Sequence, residues 1–213
     1  MLSPLDFFDL AEFAHRSIFD GLEYAWQALD RLADYLENHA QARVLGEISP
    51  AAALAGSVVI GSGTVVEPYA AIIGPAIIGD DCRIRHSAYL RGGVLLGSGC
   101  VVGHCSEVKG SIMLDGAKAP HFNYVGDSIL GNRVNLGAGT VCANLRLDGC
   151  EVFVRAGGSG DCRIGTGRRK LGAILGDGVK TGCHAVLNPG TLVARGAVVP
   201  PGARVSGYCE AGR

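Results

Sequence analysis

The chain has 213 residues, 33 of them glycine, with 6% aromatic and 18% charged side chains and a formal net charge of −1. That length holds one domain with at most a small appendage, and the near-neutral balance excludes a protein held on nucleic acid by its charge. A hydrophobic content of 48% excludes a disordered chain, while the scarcity of large rings argues against an ordinary layered core.

Residues 1–45 differ from the rest. Seven of the aromatic residues, Phe7, Phe8, Phe13, Phe19, Tyr24, Trp26 and Tyr35, lie here, with a single glycine at Gly21. Ser3 and Pro4 have the form of a helix start, and Asp20-Gly21-Leu22-Glu23 has the form of a capping box for a second helix. In that second helix Leu22, Trp26, Leu29, Leu32 and Leu36 recur at three- and four-residue spacing and form one apolar stripe. The segment is expected to be a helical hairpin that caps an end or a side of the main domain. No basic segment followed by an apolar run opens the sequence and no long apolar stretch follows, so neither a signal peptide nor a membrane span is expected and the cytoplasm is the expected location.

From residue 48 the period changes to six. Ile48, Leu54, Ile60, Val66, Ile72, Ile78, Ile84, Leu90, Leu96, Val102, Val108 and Leu114 are all aliphatic, and the fourth residue after each is usually small. This is the hexapeptide repeat of a parallel β-helix, an all-β rod in which each hexad gives a short strand and a turn. The repeat resumes at Tyr124, Leu130, Leu136 and Cys142, and again at Leu175, Thr181, Leu187, Val193, Val199 and Val205. Excursions are expected near 115–123 and 143–174, and the β-helical domain over 46–213. Eight cysteines at 82, 100, 105, 142, 150, 162, 183 and 209 form no C-x-x-C pair and read as small buried hydrophobes, without a zinc cluster.

A triangular coil of three hexads puts residues eighteen apart on neighbouring rungs, about 5 Å from each other. Arg91 and Lys109 are such a pair. Both follow a core position, both should point outward, and no acidic residue stands at 73, one coil earlier. Like charges so placed repel unless an anion lies between them; a solvated charge ladder is the alternative. His86 and His104 are also eighteen apart, but no third ligand at matching depth is evident, so no metal site is expected. Gly61-Ser-Gly63, Gly97-Ser-Gly99 and Gly137-Ala-Gly139 lack the third glycine of a dinucleotide fingerprint and read as corner turns.

The run from His121 to Arg146, which contains His121-Phe-Asn-Tyr124 and Asn135-Leu-Gly-Ala138-Gly-Thr, resembles the acetyltransferase half of bifunctional N-acetylglucosamine-1-phosphate uridylyltransferase/glucosamine-1-phosphate acetyltransferase. Residues Thr166–Gly182 are similar to the archaeal-type sugar-1-phosphate nucleotidylyltransferases that carry the same acetyltransferase end. Together the likeness covers about residues 50–205. The resemblance implies a left-handed parallel β-helix that forms a homotrimer with active sites between subunits, and acetylation of the amine of a hexosamine 1-phosphate by acetyl-CoA without a metal. By position it implies His121 as catalytic base. Arg91, Lys109, Tyr124, Asn135, Asn144 and Lys170 match the sugar-phosphate contacts, and Ala138 and Cys183 the CoA side. The chain departs from the pattern at Leu145, where bacterial members have tyrosine, in the longer 146–169 segment and in its shorter C-terminal tail. No nucleotidylyltransferase domain accompanies the repeat, so uridylyl transfer is not expected of this chain.

The residue types suit that chemistry. An amine attacks a thioester only when unprotonated, and a neutral imidazole can take the proton released as the tetrahedral intermediate forms. Cationic groups on a remote phosphate fix the distance of the amine from the thioester. Two other readings stand beside the enzyme: a non-catalytic trimer that binds a sugar phosphate or sugar nucleotide, and a metalloenzyme like the γ-class carbonic anhydrases, disfavoured because their closely spaced histidine pair is not found after His104.

Overall fold

From Arg43 to Cys209 the chain winds into a parallel β-helix of about nine turns, in a computed structural model that describes residues 2–155 and 163–210. Three faces run along the rod. The first is a nine-stranded sheet from Arg43–Val44 to Tyr208–Cys209. The third is an eight-stranded sheet that begins at Ala53–Ala55 and ends at Arg204–Val205. The second face is a five-stranded and a two-stranded piece, joined through bridges from Asn135 to Lys118 and to Lys180. Strands of two to four residues suffice because each hydrogen-bonds to the rung above and below, so the backbone is satisfied along the axis rather than within a layer. The aliphatics fill the axis: Ile60, Ile72, Ile78, Ile84, Leu90, Leu96, Val102 and Val108 are at most 1% exposed, with the small Ala70, Ala76, Cys82, Ala88 and Cys100 packed between them.

The expected excursion at 115–123 is absent. Lys118–His121 is a strand of the second face, paired with Val101–His104. What changes is the register. Val108 pairs with Leu90, eighteen residues back, but with Val125, seventeen residues on. One corner that holds Gly92 and Gly93 in one coil holds Gly110 alone in the next. Met113 therefore takes the axial position expected of Leu114, and Val125 that expected of Tyr124. Leu114 packs instead on the outer side of the rod, and Tyr124 faces outward beside its buried neighbour Val125. The second excursion does leave the rod: Phe153–Arg155 pairs antiparallel with Arg163–Gly165. The part of it over 156–162, and the chain end at 211–213, lie outside the described residues.

The N-terminal segment holds one true helix rather than a matched pair. A single turn, α1 (Pro4–Phe7), begins at a capping box between Ser3 and Asp6, and the three-turn helix α2 spans Ala28–His39. Between them Arg16–Phe19 and Ala25–Gln27 are 3₁₀ turns; the Asp20–Glu23 box starts no helix. The segment covers a side of the rod. Phe7, Phe8, Phe13, Phe19, Trp26, Leu32 and Leu36 are buried against Ile77, Leu95, Ile112, Ile129, Ile174 and Leu192, the outward residues of the first face. Each such large side chain contributes about 1.5–3 kcal/mol of burial. Asp177 clamps the segment in place: its carboxylate accepts from the backbone of Asp9 at 2.7 Å and of Asn132 at 2.7 Å, and pairs with Arg195 at 2.8 Å. Among the described residues no helix is long and apolar enough to cross a membrane.

Candidate active site

With the first face covered, the third face and the corner it shares with the second carry most of the side chains singled out in the sequence. That corner is built by one hydrogen bond repeated up the rod. Cys105 N–H donates to His86 O at 3.4 Å, Phe122 to His104 at 2.9 Å, Gly139 to His121 at 3.0 Å, His184 to Ala138 at 2.8 Å and Gly202 to Cys183 at 2.9 Å. It places His86, His104, His121, Ala138 and Cys183 in a single column, with His121 and Cys183 exposed. Cys105, Phe122 and His184 turn the chain there in the left-handed region, where a side-chain-bearing residue is strained and only the fixed rung above and below maintains it.

His121 is the third histidine that counting by eighteens missed. It is the direct ladder partner of His104, seventeen residues away. The rings of His86 and His104 stack with centroids 5.4 Å apart, and His104 Nδ1 lies 3.2 Å from the His86 carbonyl. One ring per rung of about 4.8 Å spreads three imidazoles too widely for one ion, and among the described residues no cluster of His, Cys, Asp or Glu has the form of a metal site.

Across the third face run two outward columns. Tyr89, Glu107 and Tyr124 stand in register; beyond the core column, Arg91, Lys109 and Gly126 form the other. The cations are not left to repel one another. Arg91 Nε donates to Glu107 Oε1 at 2.7 Å and Lys109 Nζ to Asp127 Oδ2 at 2.8 Å. The first bond holds the Arg91 guanidinium above its ordinary pKa. Glu107 lies sixteen residues after Arg91, off the eighteen-residue count, whereas Asp127 lies eighteen residues after Lys109. Glu107 shares the strand of Lys109, and Asp127 reaches it across a seventeen-residue coil.

Asp127 gathers more than Lys109. Its Oδ2 also accepts a short hydrogen bond from Asn144 Nδ2, and Tyr124 Oη lies 3.5 Å from Asn144 Oδ1. Gly126 makes this possible: a Cβ there would lie 2.7 Å from Tyr124 Oη and 2.8 Å from Asn144 Nδ2, so both side chains fold over a residue that has none. Lys170 returns beside this cluster, bridged to Leu145 and exposed, while its carbonyl accepts from Arg168 Nε at 3.1 Å. Asn135 stands apart. It is exposed on the second face, and a single chain does not bring it to Lys109. One rung beyond Asn144 a cleft of about 720 Å³ opens, lined among others by Ala143, Arg146, Phe153, Arg163, Asn188 and Ser206; the excursion that forms it carries no period from which it was legible.

Of the seven described cysteines, Cys82, Cys100 and Cys142 are buried, whereas Cys105, Cys150 and Cys183 are exposed and Cys209 is half-buried; Cys162 lies outside the described residues. The expectation of uniformly buried thiols therefore fails at the corner and in the excursion, where side chains leave the axis. Burial pushes the Cys142 thiol up to about 12.

His121 and Tyr124 are three residues apart on one rung with the left-handed corner at Phe122 between them, so they lie closer than the roughly 10 Å of an extended run. Asp127 closes the far end of the same rung, with Lys109 and Arg91 on the two rungs below. The surface thus offers an exposed imidazole at one edge and two carboxylate-paired cations at the other.

The sequence pattern of the family described as "GMPPB C-terminal domain" matches residues 72–195. A bifunctional sugar-1-phosphate nucleotidylyltransferase/acetyltransferase of Sulfurisphaera tokodaii is 47% identical over 100 residues, which is 46% of this chain and 24% of that protein. The bifunctional protein GlmU of Methanococcus maripaludis is 36% identical over 184 residues, 86% of this chain and 44% of that protein. This chain therefore spans less than half the length of these curated relatives. The structure of Francisella novicida UDP-N-acetylglucosamine acyltransferase superposes with a TM-score of 0.49 at 17% identity, over 76% of this chain and 62% of that one. The family match takes in the histidine column, both cation pairs, Tyr124, Asp127 and Asn144, more than half of the sequence, and the chain belongs to the family of the GMPPB C-terminal domain.

Proposed function

We propose that the chain transfers the acetyl group of acetyl-CoA to the amine of a hexosamine 1-phosphate, glucosamine 1-phosphate first, in sites completed between the subunits of a homotrimer. The observation that carries this reading is that His121 is exposed on the rung of Tyr124 and Asp127, with Lys109 and Arg91 on the next two rungs. Sugar-1-phosphate and acetyltransferase occur together in the name of the Sulfurisphaera relative, which supports the same pairing of substrate and reaction.

On this reading Arg91 and Lys109 bind the phosphate, with Lys170 beside them, and the hexose lies across Tyr124 and Asn144 toward His121. Acetyl-CoA supplies the thioester and lies along the corner column at Ala138 and Cys183. The neutral imidazole of His121 accepts a proton as the amine nitrogen bonds to the thioester carbon. The tetrahedral intermediate then expels the CoA sulfur, which leaves as the thiol after taking up that proton, and the amide remains on the sugar. Asn135, on the second face, serves the site of a neighbouring subunit, which is where the trimer enters.

Thiol release from acetyl-CoA in the presence of glucosamine 1-phosphate tests the reading. His121→Ala is expected to lower kcat by about 10²–10⁴-fold while calorimetric binding of the sugar phosphate persists. Turnover unchanged in the variant overturns the role of His121. Absence of turnover in the natural chain, with sugar phosphate still bound, makes the protein a binding module.

A further inference from the structure

We propose that Asp127 is a positioning residue of this site, holding the Lys109 ammonium and the Asn144 amide on one carboxylate oxygen and tying both to the N-terminal helix. The proposal deepens the acetyl-transfer reading and rests on it.

Asp127 occupies a corner with φ 46°, a left-handed conformation that Asp and Asn tolerate better than other side-chain-bearing residues. Its backbone is pinned on both sides, its N–H donating to Lys109 O at 2.9 Å and its carbonyl accepting from Gly172 N–H at 2.8 Å. The side chain is largely buried, at 11% exposure. Oδ2 accepts from Lys109 Nζ and from Asn144 Nδ2, and Oδ1 faces Arg168 Nη2 at 4.0 Å. Arg168 in turn gives Nη1 to Asp30 of α2 in a short bond and Nε to the Lys170 carbonyl. A chain of charge thus runs from α2 through Arg168 and Asp127 to Lys109, and crosses the base of the excursion on the way.

Two consequences follow for the proposed reaction. With Asn144 Nδ2 committed to the carboxylate, the amide presents Oδ1 toward Tyr124 and the acceptor side, so it meets the substrate as a hydrogen-bond acceptor and selects a group that donates. The Lys109 ammonium is also held in one place, although the carboxylate that holds it opposes the binding of an anion. Position and affinity are therefore set against each other at one residue.

Asp127→Asn separates them. Asparagine keeps the corner conformation, but an amide satisfies either the Lys109 and Asn144 side, through its oxygen, or leaves its NH₂ facing those donors. In the first arrangement the NH₂ faces Arg168; no orientation serves all three partners. The expected result is a kcat lowered by about 10–100-fold, the range seen when a residue that orients a reacting group is lost. The KM for glucosamine 1-phosphate is expected to be unchanged or lower, because a negative charge has gone from beside the phosphate cations. A merely structural role would raise that KM and lower the melting temperature together. Asp127→Glu should restore charge without position and leave kcat low. A kcat for Asp127→Asn within twofold of the natural chain overturns the proposal and leaves the acetyl-transfer reading intact. Failure of the natural chain to turn over overturns the reading. Hydrogen exchange then decides the link itself: the amides of α2, tied to Asp127 through Arg168 and Asp30, are expected to exchange faster in Asp127→Asn, and equal protection in both proteins overturns the tie to the helix.

Discussion

Arg91 and Glu107 join the two outward columns of the third face, Nε to Oε1 at 2.7 Å, across neighbouring rungs. Glu107 both orients the guanidinium and cancels its charge. On the proposed function Glu107→Gln keeps an oxygen for Arg91 Nε and removes the charge that competes with phosphate. The expected outcome is a KM for glucosamine 1-phosphate lower by about two- to fivefold, modest because exposed pairs are screened, and less so at high salt. Arg91→Ala should raise the same KM by about tenfold or more, since a charged hydrogen bond to the phosphate is lost. Steady-state kinetics at two ionic strengths checks both; a higher KM in Glu107→Gln shows that orientation outweighs charge.

Gly126→Ala addresses the arrangement of Tyr124 and Asn144 without touching a charged group. The added methyl would meet the ends of two side chains rather than backbone, and Gly126 lies outside the left-handed region. Folding should survive, with the melting temperature shifted by a few degrees, while Tyr124 and Asn144 are pushed off their positions. A displacement of that size at a reacting centre costs about 10–100-fold in kcat/KM. Activity and melting curves measured on one preparation check this; parallel losses in both would mean that the glycine serves the rod rather than the site.

What the sequence disclosed follows from where its period held. The sixfold repeat identified the rod, its axial aliphatics through Val108 and the alignment of Arg91 with Lys109, because each of those rests on an unbroken count from Ile48. One residue fewer at the Gly110 corner, and again at the Asp127 corner of the next coil, moved the count by one as far as Val125 and by two beyond it. Hence Leu114 and Tyr124 were assigned inward, an unbroken coil read as an excursion, and His121 seemed out of line with His104. Glu107 lies off the eighteen-residue count from Arg91, whereas Asp127, eighteen residues after Lys109, was legible as its partner. The N-terminal aromatics marked a packed segment correctly, but helix propensity cannot tell a helix from 3₁₀ turns in so short a run when the first face of the rod dictates the path. Arg168, Asp30 and the cleft depend on an excursion with no period at all.

The N-terminal segment carries its own pH sensitivity. His15 is half-buried, with Nδ1 3.0 Å from Tyr35 Oη and its ring edge-on to Phe13 and Tyr35. Burial lowers its pKa from 6.5, the nearby His39 lowers it further, and Asp115 opposes them. A histidine whose folded pKa is depressed takes up its proton more readily when unfolded, so its contribution to stability is complete above pH 6.5 and is lost as the pH falls below that value through the lowered folded pKa. The segment is therefore expected to loosen as the pH falls below 6.5. Hydrogen exchange of α2, normalised to the intrinsic rate at each pH, checks this, with the axial strands of the rod as internal reference. His15→Phe keeps an aromatic ring between Phe13 and Tyr35 and removes the titrating group, so α2 protection in that variant should not change over this window. Equal pH dependence in the two proteins would assign the loosening to another group.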